Sequence, residues 1–273
     1  HQFADLLVPE QRKVQKGEQS LEQLVVEELL KGPRKFERNL VMPPNVKVLD
    51  VTRKGDTVFV NLSGEFKNNV DLTTLPGKEN IPEDKRPMVQ AEMKKLAIYS
   101  IVNSLTELEG GLQVKILVEN KQLTYDEMGA QLFVGGQTNI NDKTPMTAIY
   151  RDKDIILSPS KSVEYMLKGL AGKSNWDVVY LFLASKAMDG SDLPEFDEFK
   201  KYASAIGMTI EVDDKPIDQE EIKADGNTAY VTAHYTIKYP DGKVEVKDRD
   251  VFTVVREEGI WKVKLPELFT KVK

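Results

Sequence analysis

The stretch PMVQAEMKKLAIYSIVNSLTELEGGLQVKILVE, residues 87–119, decides the fold because its hydrophobic period changes partway along it. Before the double glycine, apolar side chains recur at spacings of three and four, which predicts a helix with one buried face. These side chains are Ile98, Ile101, Val102, Leu105 and Leu108. After Gly110 and Gly111 apolar and polar residues alternate, as on a strand with one buried face. The stretch therefore predicts a helix that packs on the sheet its following strand joins.

A second helix and a hairpin are predicted upstream. Ser20 is followed three residues later by Gln23, which is a helix-capping pattern, and Gly32 marks the end of that helix. Strands are expected at residues 46–52 and 57–62, on either side of a glycine turn. The order helix, hairpin, helix, strand predicts a small α+β sandwich with both helices on one face of the sheet.

Five separate pieces of this half, in the same order, resemble the GerM domain. They are LEQLVVEELLKGP at 21–33, PPNVKVL at 43–49, VFVNLS at 58–63, IVNSLT at 101–106 and VKILV at 114–118. One departure is Asn61, at a position where the family commonly has Asp. The resemblance implies a non-catalytic domain of bacterial extracytoplasmic proteins, often lipoproteins, linked to sporulation and spore germination. Because such domains are similar to ring-building domains of envelope assemblies, it also implies oligomerisation or partner binding.

The middle of the chain is expected to separate two domains. We predict a GerM-like domain over residues 1–123, a linker or domain-closing hairpin over 124–157, and a second domain over 158–273. The hairpin would pair residues 146–150 with 155–157, and it either closes the first domain or opens the second.

The second domain is predicted to be an α+β cone with a curved antiparallel sheet. Ser158 and Pro159 begin the first of three amphipathic helices, the last of which ends at Gly207. Strands separated by clear turns follow, and their sequences AYVTA at 229–233, FTVV at 252–255 and GIWKV at 259–263 resemble the closing strands of an NTF2-like domain.

Composition excludes several kinds of chemistry. A net charge of −6 and a pI of about 5.3 argue against a nucleic-acid partner, which normally requires a clustered basic surface. There is no cysteine, so disulfides and cysteine-based metal sites are excluded, and the acidic residues lack the spacing of a calcium loop. Because the sequence also lacks a Gly-x-Ser-x-Gly elbow, a Walker motif and a dinucleotide fingerprint, we predict no metal, no cofactor and no catalytic residue.

Three residues of the second domain are candidates for a ligand site. Enzymes with the NTF2-like fold use an Asp or His base inside the cone, so we considered His234, Asp248 and Asp250. The alternation of residues 229–237 predicts that the apolar series faces inward and that His234 faces outward. Without a bulge, Asp248 and Asp250 would share the face of Phe252.

The resulting prediction is a non-catalytic binding or assembly protein of the bacterial cell envelope, from a Gram-positive spore-former. Its partner would be an envelope protein or a cell-wall component, with a homo-oligomer as a further option. The alternative is small-molecule binding, or isomerase or hydratase chemistry, in the C-terminal cone. No apolar run is long enough to cross a membrane, so attachment would need an anchor outside this chain. Because the chain begins with His1, we expect that a leader was removed, either by processing or by the choice of the expressed sequence, and a secretory or lipoprotein signal is one such leader.

Overall fold

The computed structural model describes residues 6–34, 40–75, 80–128, 143–171, 174–266 and Phe269. Contacts divide the chain into two compact units, residues 1–156 and 157–273, called the first unit and the second unit below. Each unit contains helices and its own sheet, which confirms the predicted α+β class. Within these described ranges, no helix combines the length and the apolar character needed to cross a membrane.

The first unit follows the predicted order of helix, hairpin, helix and strand. Its elements are α1 (Leu21–Leu30), β1 (Val48–Lys54), β2 (Thr57–Leu62), α2 (Arg86–Thr106), β3 (Gln113–Val118), β4 (Lys121–Gln122) and α3 (Tyr125–Met128). The strands lie in the order β1-β2-β3-β4, with β1 antiparallel to β2 and β2 parallel to β3. Helix α2 provides the crossover that a parallel strand pair requires.

One face of this sheet is buried, as the alternation predicts. The inward side chains of β2 and β3 pack with the apolar face of α2 in a single core; they include Val58, Val60, Val114, Ile116, Ile98 and Ile101. Helix α1 begins where Ser20 Oγ accepts the Gln23 N–H at 3.1 Å, and the chain turns at Gly32, whose φ is +76°. The predicted capping residues therefore begin and end this helix.

The predicted hairpin of residues 146–150 with 155–157 is wrong. Ile149 instead exchanges backbone hydrogen bonds with Val114 of β3, and Ile156 forms a parallel bridge with Leu7. The reason is that β4 pairs only with Leu117 and Val118, so the edge of β3 at Val114 is open to another segment. Of the predicted linker, residues 129–142 lie outside the described residues.

The second unit begins with three helices and ends in an antiparallel sheet. Its elements are α4 (Pro159–Leu170), α5 (Trp176–Phe182), α6 (Phe196–Ile206), β5 (Thr209–Glu211), β6 (Ile217–Ile222), β7 (Thr228–Lys238), β8 (Val244–Glu257) and β9 (Ile260–Val263). The sheet order is β5-β7-β8-β9, and β6 also pairs with β7. Ser158 Oγ accepts the Lys161 N–H at 3.1 Å to begin α4, and Gly207, with φ of +66°, ends α6.

The inward face of β7 is the predicted one. Its buried side chains are Ala229, Val231, Ala233, Tyr235 and Ile237. Ser162 Oγ of α4 donates to the carbonyl of Trp261 at 2.8 Å, which holds that helix on β9. The rings of Trp176, Phe199 and Phe269 contact one another. The unit is thus the α+β cone with a curled antiparallel half-barrel sheet that the NTF2-like resemblance implies.

Candidate functional site

Among the described residues of the first unit, no helix or strand covers the face of the sheet that points away from α1 and α2, and this face is called the open face below. Its central side chains are Phe59 of β2 and Leu117 of β3, and both are half-buried. In the strand register Phe59 lies between Thr52 and Lys115. Phe59 and Leu117 therefore make the centre of this face apolar, while its surroundings are polar.

A shallow groove of about 230 Å³ crosses this open face. Its lining consists of Asp50, Thr52, Lys54, Phe59, Asn61, Leu117 and Asn120. Asp50 and Lys54 place charges of both signs at the groove, while Phe59 and Leu117 provide apolar contact. The lining therefore combines hydrogen-bonding groups with one aromatic and one aliphatic side chain.

One wall of the groove is built by Asn61. The side chain is buried, its Nδ2 donates to Asn120 Oδ1 at 2.8 Å, and its Oδ1 accepts the Asn120 N–H at 3.0 Å. Glu119 and Asn120 have φ of 50° and 63°, so they form the tight turn between β3 and β4. Asn61, which departs from the family pattern, therefore holds this turn against the end of β2.

The structure places His234 on the outer face of β7, as expected. Its Nδ1 lies 3.0 Å from Asp218 Oδ1, and its Nε2 lies 3.5 Å from Asp213 Oδ2. Both ring nitrogens are thus directed at carboxylates of the same surface. Across the described part of the chain, no group of three or more His, Asp or Glu residues is arranged to hold a metal ion.

Asp248 and Asp250 lie on opposite faces of β8, whereas a strand without a bulge would place both on the face of Phe252. Ala233 pairs with Asp250 while Tyr235 pairs with Lys247, so Asp248 and Arg249 together face His234. This is a β-bulge, and the extra residue reverses the alternation of side chains. Asp250 remains on the inner face with Phe252, whereas Asp248 is exposed on the outer face.

The carboxylate of Asp250 already accepts a hydrogen bond from a buried side chain. Tyr235 is 4% exposed, and its hydroxyl donates to Asp250 Oδ2 at 2.5 Å. Burial is the main cause that raises the pKa of Tyr235 well above its usual range, and the hydrogen bond to the Asp250 carboxylate raises it further. The hydroxyl therefore stays protonated, and Asp250 serves as its acceptor.

The inner polar row continues beside this pair. Lys247 Nζ lies 2.6 Å from Glu245 Oε1, and the Tyr239 hydroxyl donates to Glu245 Oε2 at 3.1 Å. The Lys247 hydrogen bond lowers the pKa of Glu245, and Glu245 in turn raises the pKa of Lys247. Both side chains are therefore charged near neutral pH, and both are about one-third exposed or less.

Sequence reasoning missed the open face of the first sheet. A signal was present, because Phe59 and Leu117 occupy outward positions of strands whose inward positions are already apolar. The missing information was the register between β2 and β3, which brings these side chains together across the sheet.

The fold and these surfaces define a two-unit α+β protein with an open sheet face in the first unit and an antiparallel cone in the second. Residues 3–124 match the Germane family, described as "Sporulation and spore germination". The first unit therefore contains a Germane domain, which confirms the GerM resemblance and relates the chain to sporulation and germination.

Solved structures add two distant likenesses. A protein described as "Putative Lipoprotein" from Clostridium perfringens is 21% identical over 46% of this chain and 66% of its own, with a TM-score of 0.30. A protein described as a "putative polyketide cyclase" from Xanthomonas campestris is 14% identical over 42% of this chain and 100% of its own, with a TM-score of 0.29. The chain thus spans just under two thirds of the Clostridium protein. No curated protein matches the chain.

Proposed function

We propose that this protein is a non-catalytic binding and assembly module of the bacterial cell envelope, acting outside the cytoplasm of a Gram-positive spore-former. The Germane match supports the link to sporulation and germination. Under this proposal the protein is secreted or held by a lipid anchor, and its partner is an envelope protein or a cell-wall component.

The observation that carries the proposal is the open face of the first sheet. Phe59 and Leu117 lie in a groove whose floor is regular sheet and whose wall is the turn held by Asn61. A rigid floor fixes the positions of these side chains, so little entropy is lost when a partner binds. Such a surface favours recognition of an extended partner.

The test measures binding to a cell-wall component and self-association in parallel. The full chain is sedimented with purified peptidoglycan, and light scattering is recorded over a concentration series. Phe59→Ala and Lys54→Glu change the groove, while Lys85→Glu makes the same charge change at an exposed position outside it. We expect the groove variants to reduce binding about fivefold or more and Lys85→Glu to leave it unchanged.

Two results would contradict the proposal. One is a chain that pellets neither with purified peptidoglycan nor with a whole cell-envelope fraction, which contains envelope proteins, and that does not self-associate at any concentration. The other is equal binding by Phe59→Ala, Lys54→Glu and the unmodified protein, because the partner would then contact another surface.

A second candidate function is small-molecule binding on the inner face of the cone. It is favoured by the row of Tyr235, Tyr239, Glu245, Lys247 and Asp250, which places both charges on that face. Because Asp250 already accepts the Tyr235 hydroxyl, this row favours binding over the proton abstraction of an isomerase or hydratase. A thermal-shift screen with anionic metabolites tests this candidate. A compound that raises the melting temperature of the unmodified protein should no longer raise it in Lys247→Met, because the positive charge is gone.

A further inference from the structure

The groove on the open face of the first sheet separates charges of opposite sign. Asp50 and Lys54 both belong to β1 and both line the groove. A strand rises about 3.3 Å per residue, so the Cα atoms of these two residues lie about 13 Å apart. Thr52 lies between them on the same face, and Phe59 of β2 is its register partner. The groove therefore has a negative end, an apolar centre and a positive end.

A second lysine adds positive charge beside the apolar centre. Lys115 of β3 is the other register partner of Phe59, and it is half-buried. Within the described ranges, neither Lys54 nor Lys115 forms an ion pair with a carboxylate. Asp50 accepts the Thr52 hydroxyl on one carboxylate oxygen and has no cationic partner in the same ranges. All three charges are thus available to opposite charges on a ligand.

The backbone of the groove floor is already paired. Along residues 57–62, β2 pairs with β1 on one side and with β3 on the other. A ligand above Phe59 therefore finds no free backbone donor or acceptor in β2, whereas a protein segment that binds by strand addition needs them at a sheet edge. Recognition on this face depends on side-chain charge and apolar contact.

A short peptide that carries both carboxylates and an amine fits these features. The stem peptide of peptidoglycan has this chemistry, because it bears several free carboxylates and, until it is cross-linked, a primary amine on its diamino acid. Its D-residues and its γ-glutamyl linkage also prevent regular strand pairing, which this face does not require.

We propose that the groove binds the uncrosslinked stem peptide of peptidoglycan, with carboxylates at Lys54 and Lys115 and the free amine at Asp50. This inference rests on the proposed function, and it names the part of the wall polymer that is recognised. Cross-linking converts the amine into an amide and removes its charge, so Asp50 distinguishes uncrosslinked from cross-linked peptides.

Charge also separates this ligand from other polymers of a cell wall. The N-acetylated sugars of a glycan strand are neutral, so they offer no opposite charge to either Lys54 or Asp50. A chain of phosphodiesters would attract the lysines but would be repelled at Asp50. A ligand with charges of both signs matches both ends of the groove.

Isothermal titration calorimetry on the full chain tests the assignment with three probes. The first is N-acetyl-L-alanyl-γ-D-glutamyl-meso-diaminopimelyl-D-alanine, whose single amine is on the diamino acid. The second is the same peptide with that amine acetylated, and the third is tetra-N-acetylchitotetraose. We expect the free-amine peptide to bind about threefold to fivefold more tightly than the acetylated one, which is the size of a partly exposed ion pair. The oligosaccharide should not bind.

Substitutions assign the charges to residues. Asp50→Asn keeps an acceptor for the Thr52 hydroxyl but removes the negative charge, so it should bind both peptides equally. Lys54→Met and Lys115→Met should weaken both peptides about threefold or more. Lys85→Met, at an exposed position outside the groove, should change neither affinity. Far-UV circular dichroism confirms that each variant is folded.

Several outcomes would overturn the assignment. One is equal binding of the two peptides by the unmodified protein, and another is an Asp50→Asn variant that still prefers the free amine. Binding of the oligosaccharide alone would also overturn it, but the proposed function would stand with the glycan as ligand. A chain that pellets with the envelope fraction and binds none of the three probes would instead indicate an envelope protein as partner. Only the absence of binding to every probe and fraction, without self-association, would overturn the proposed function as well.

Discussion

At the scale of single residues, the two groups joined by the hydrogen bond from Tyr235 to Asp250 differ in their exposure to water. The hydroxyl is buried in the cone, whereas the carboxylate is half-buried and can accept water in its place. Tyr235→Phe should therefore lower the free energy of unfolding by about 1 kcal/mol, and Asp250→Ala by about 1 to 3 kcal/mol, because it strands the hydroxyl. Urea denaturation measures both. Equal costs would show that the hydroxyl finds another acceptor.

Glu28 makes a second residue-scale prediction, which concerns pH. Its side chain is 10% exposed and contacts Arg12, Lys31 and Arg34. The hydrogen bond from Lys31 outweighs burial and lowers the pKa of Glu28 in the folded protein. A carboxyl whose pKa falls on folding stabilises the protein above its unfolded pKa and loses this effect as the pH falls through its folded pKa.

Glu28→Gln should therefore destabilise the protein by about 1 kcal/mol near neutral pH and by less in acid. Urea midpoints of both proteins at about pH 7 and about pH 3 give the difference. Glu18→Gln, at an exposed position, is the matched control. If the loss of unfolding free energy in Glu28→Gln is the same at both pH values, the substitution acts through packing and not through the charge of Glu28.

At the scale of elements, the turn between β3 and β4 depends on the end of β2. Asn61→Ala removes both hydrogen bonds to Asn120 and should cost about 1 to 2 kcal/mol in urea denaturation. Asn61→Asp should cost less, because the carboxylate still accepts the Asn120 N–H and the Asn120 amide can rotate to donate to it. If Asn61→Asp is less stable in urea than Asn61→Ala, then burying the aspartate charge costs more free energy than the retained hydrogen bond contributes.

At the scale of the whole molecule, the two tryptophans report on one unit alone. Trp176 and Trp261 both belong to the second unit, and each unit buries its own apolar side chains. Asn61→Ala should thus lower the thermal transition followed by far-UV circular dichroism and leave the tryptophan fluorescence transition in place. Tyr235→Phe should move the fluorescence transition. A shift of fluorescence by Asn61→Ala would show that the units unfold together.

Much of the fold was predictable because its signals are local. The helical spacing before Gly110, the alternation after Gly111 and the caps at Ser20 and Ser158 each depend on a few neighbouring residues, and the structure follows them with one exception. Helix α2 ends at Thr106, so Leu108 lies beyond it and is 39% exposed, contrary to its predicted place on the buried helix face. The inward face of β7 was predictable for the same reason, since one alternating strand encodes it. The local pattern likewise predicted the outward position of His234.

The tertiary structure alone decided the features that depend on pairing between strands. The register of β8 on β7 separates Asp248 from Asp250, and the open edge of β3 takes Ile149 away from the predicted hairpin. The groove around Phe59 likewise exists only once β1, β2 and β3 lie side by side. The sequence of one strand shows which of its side chains alternate, but the residue opposite each of them is set by long-range packing. A shift of one residue in the strand register would move every side chain of that strand to the other face of the sheet.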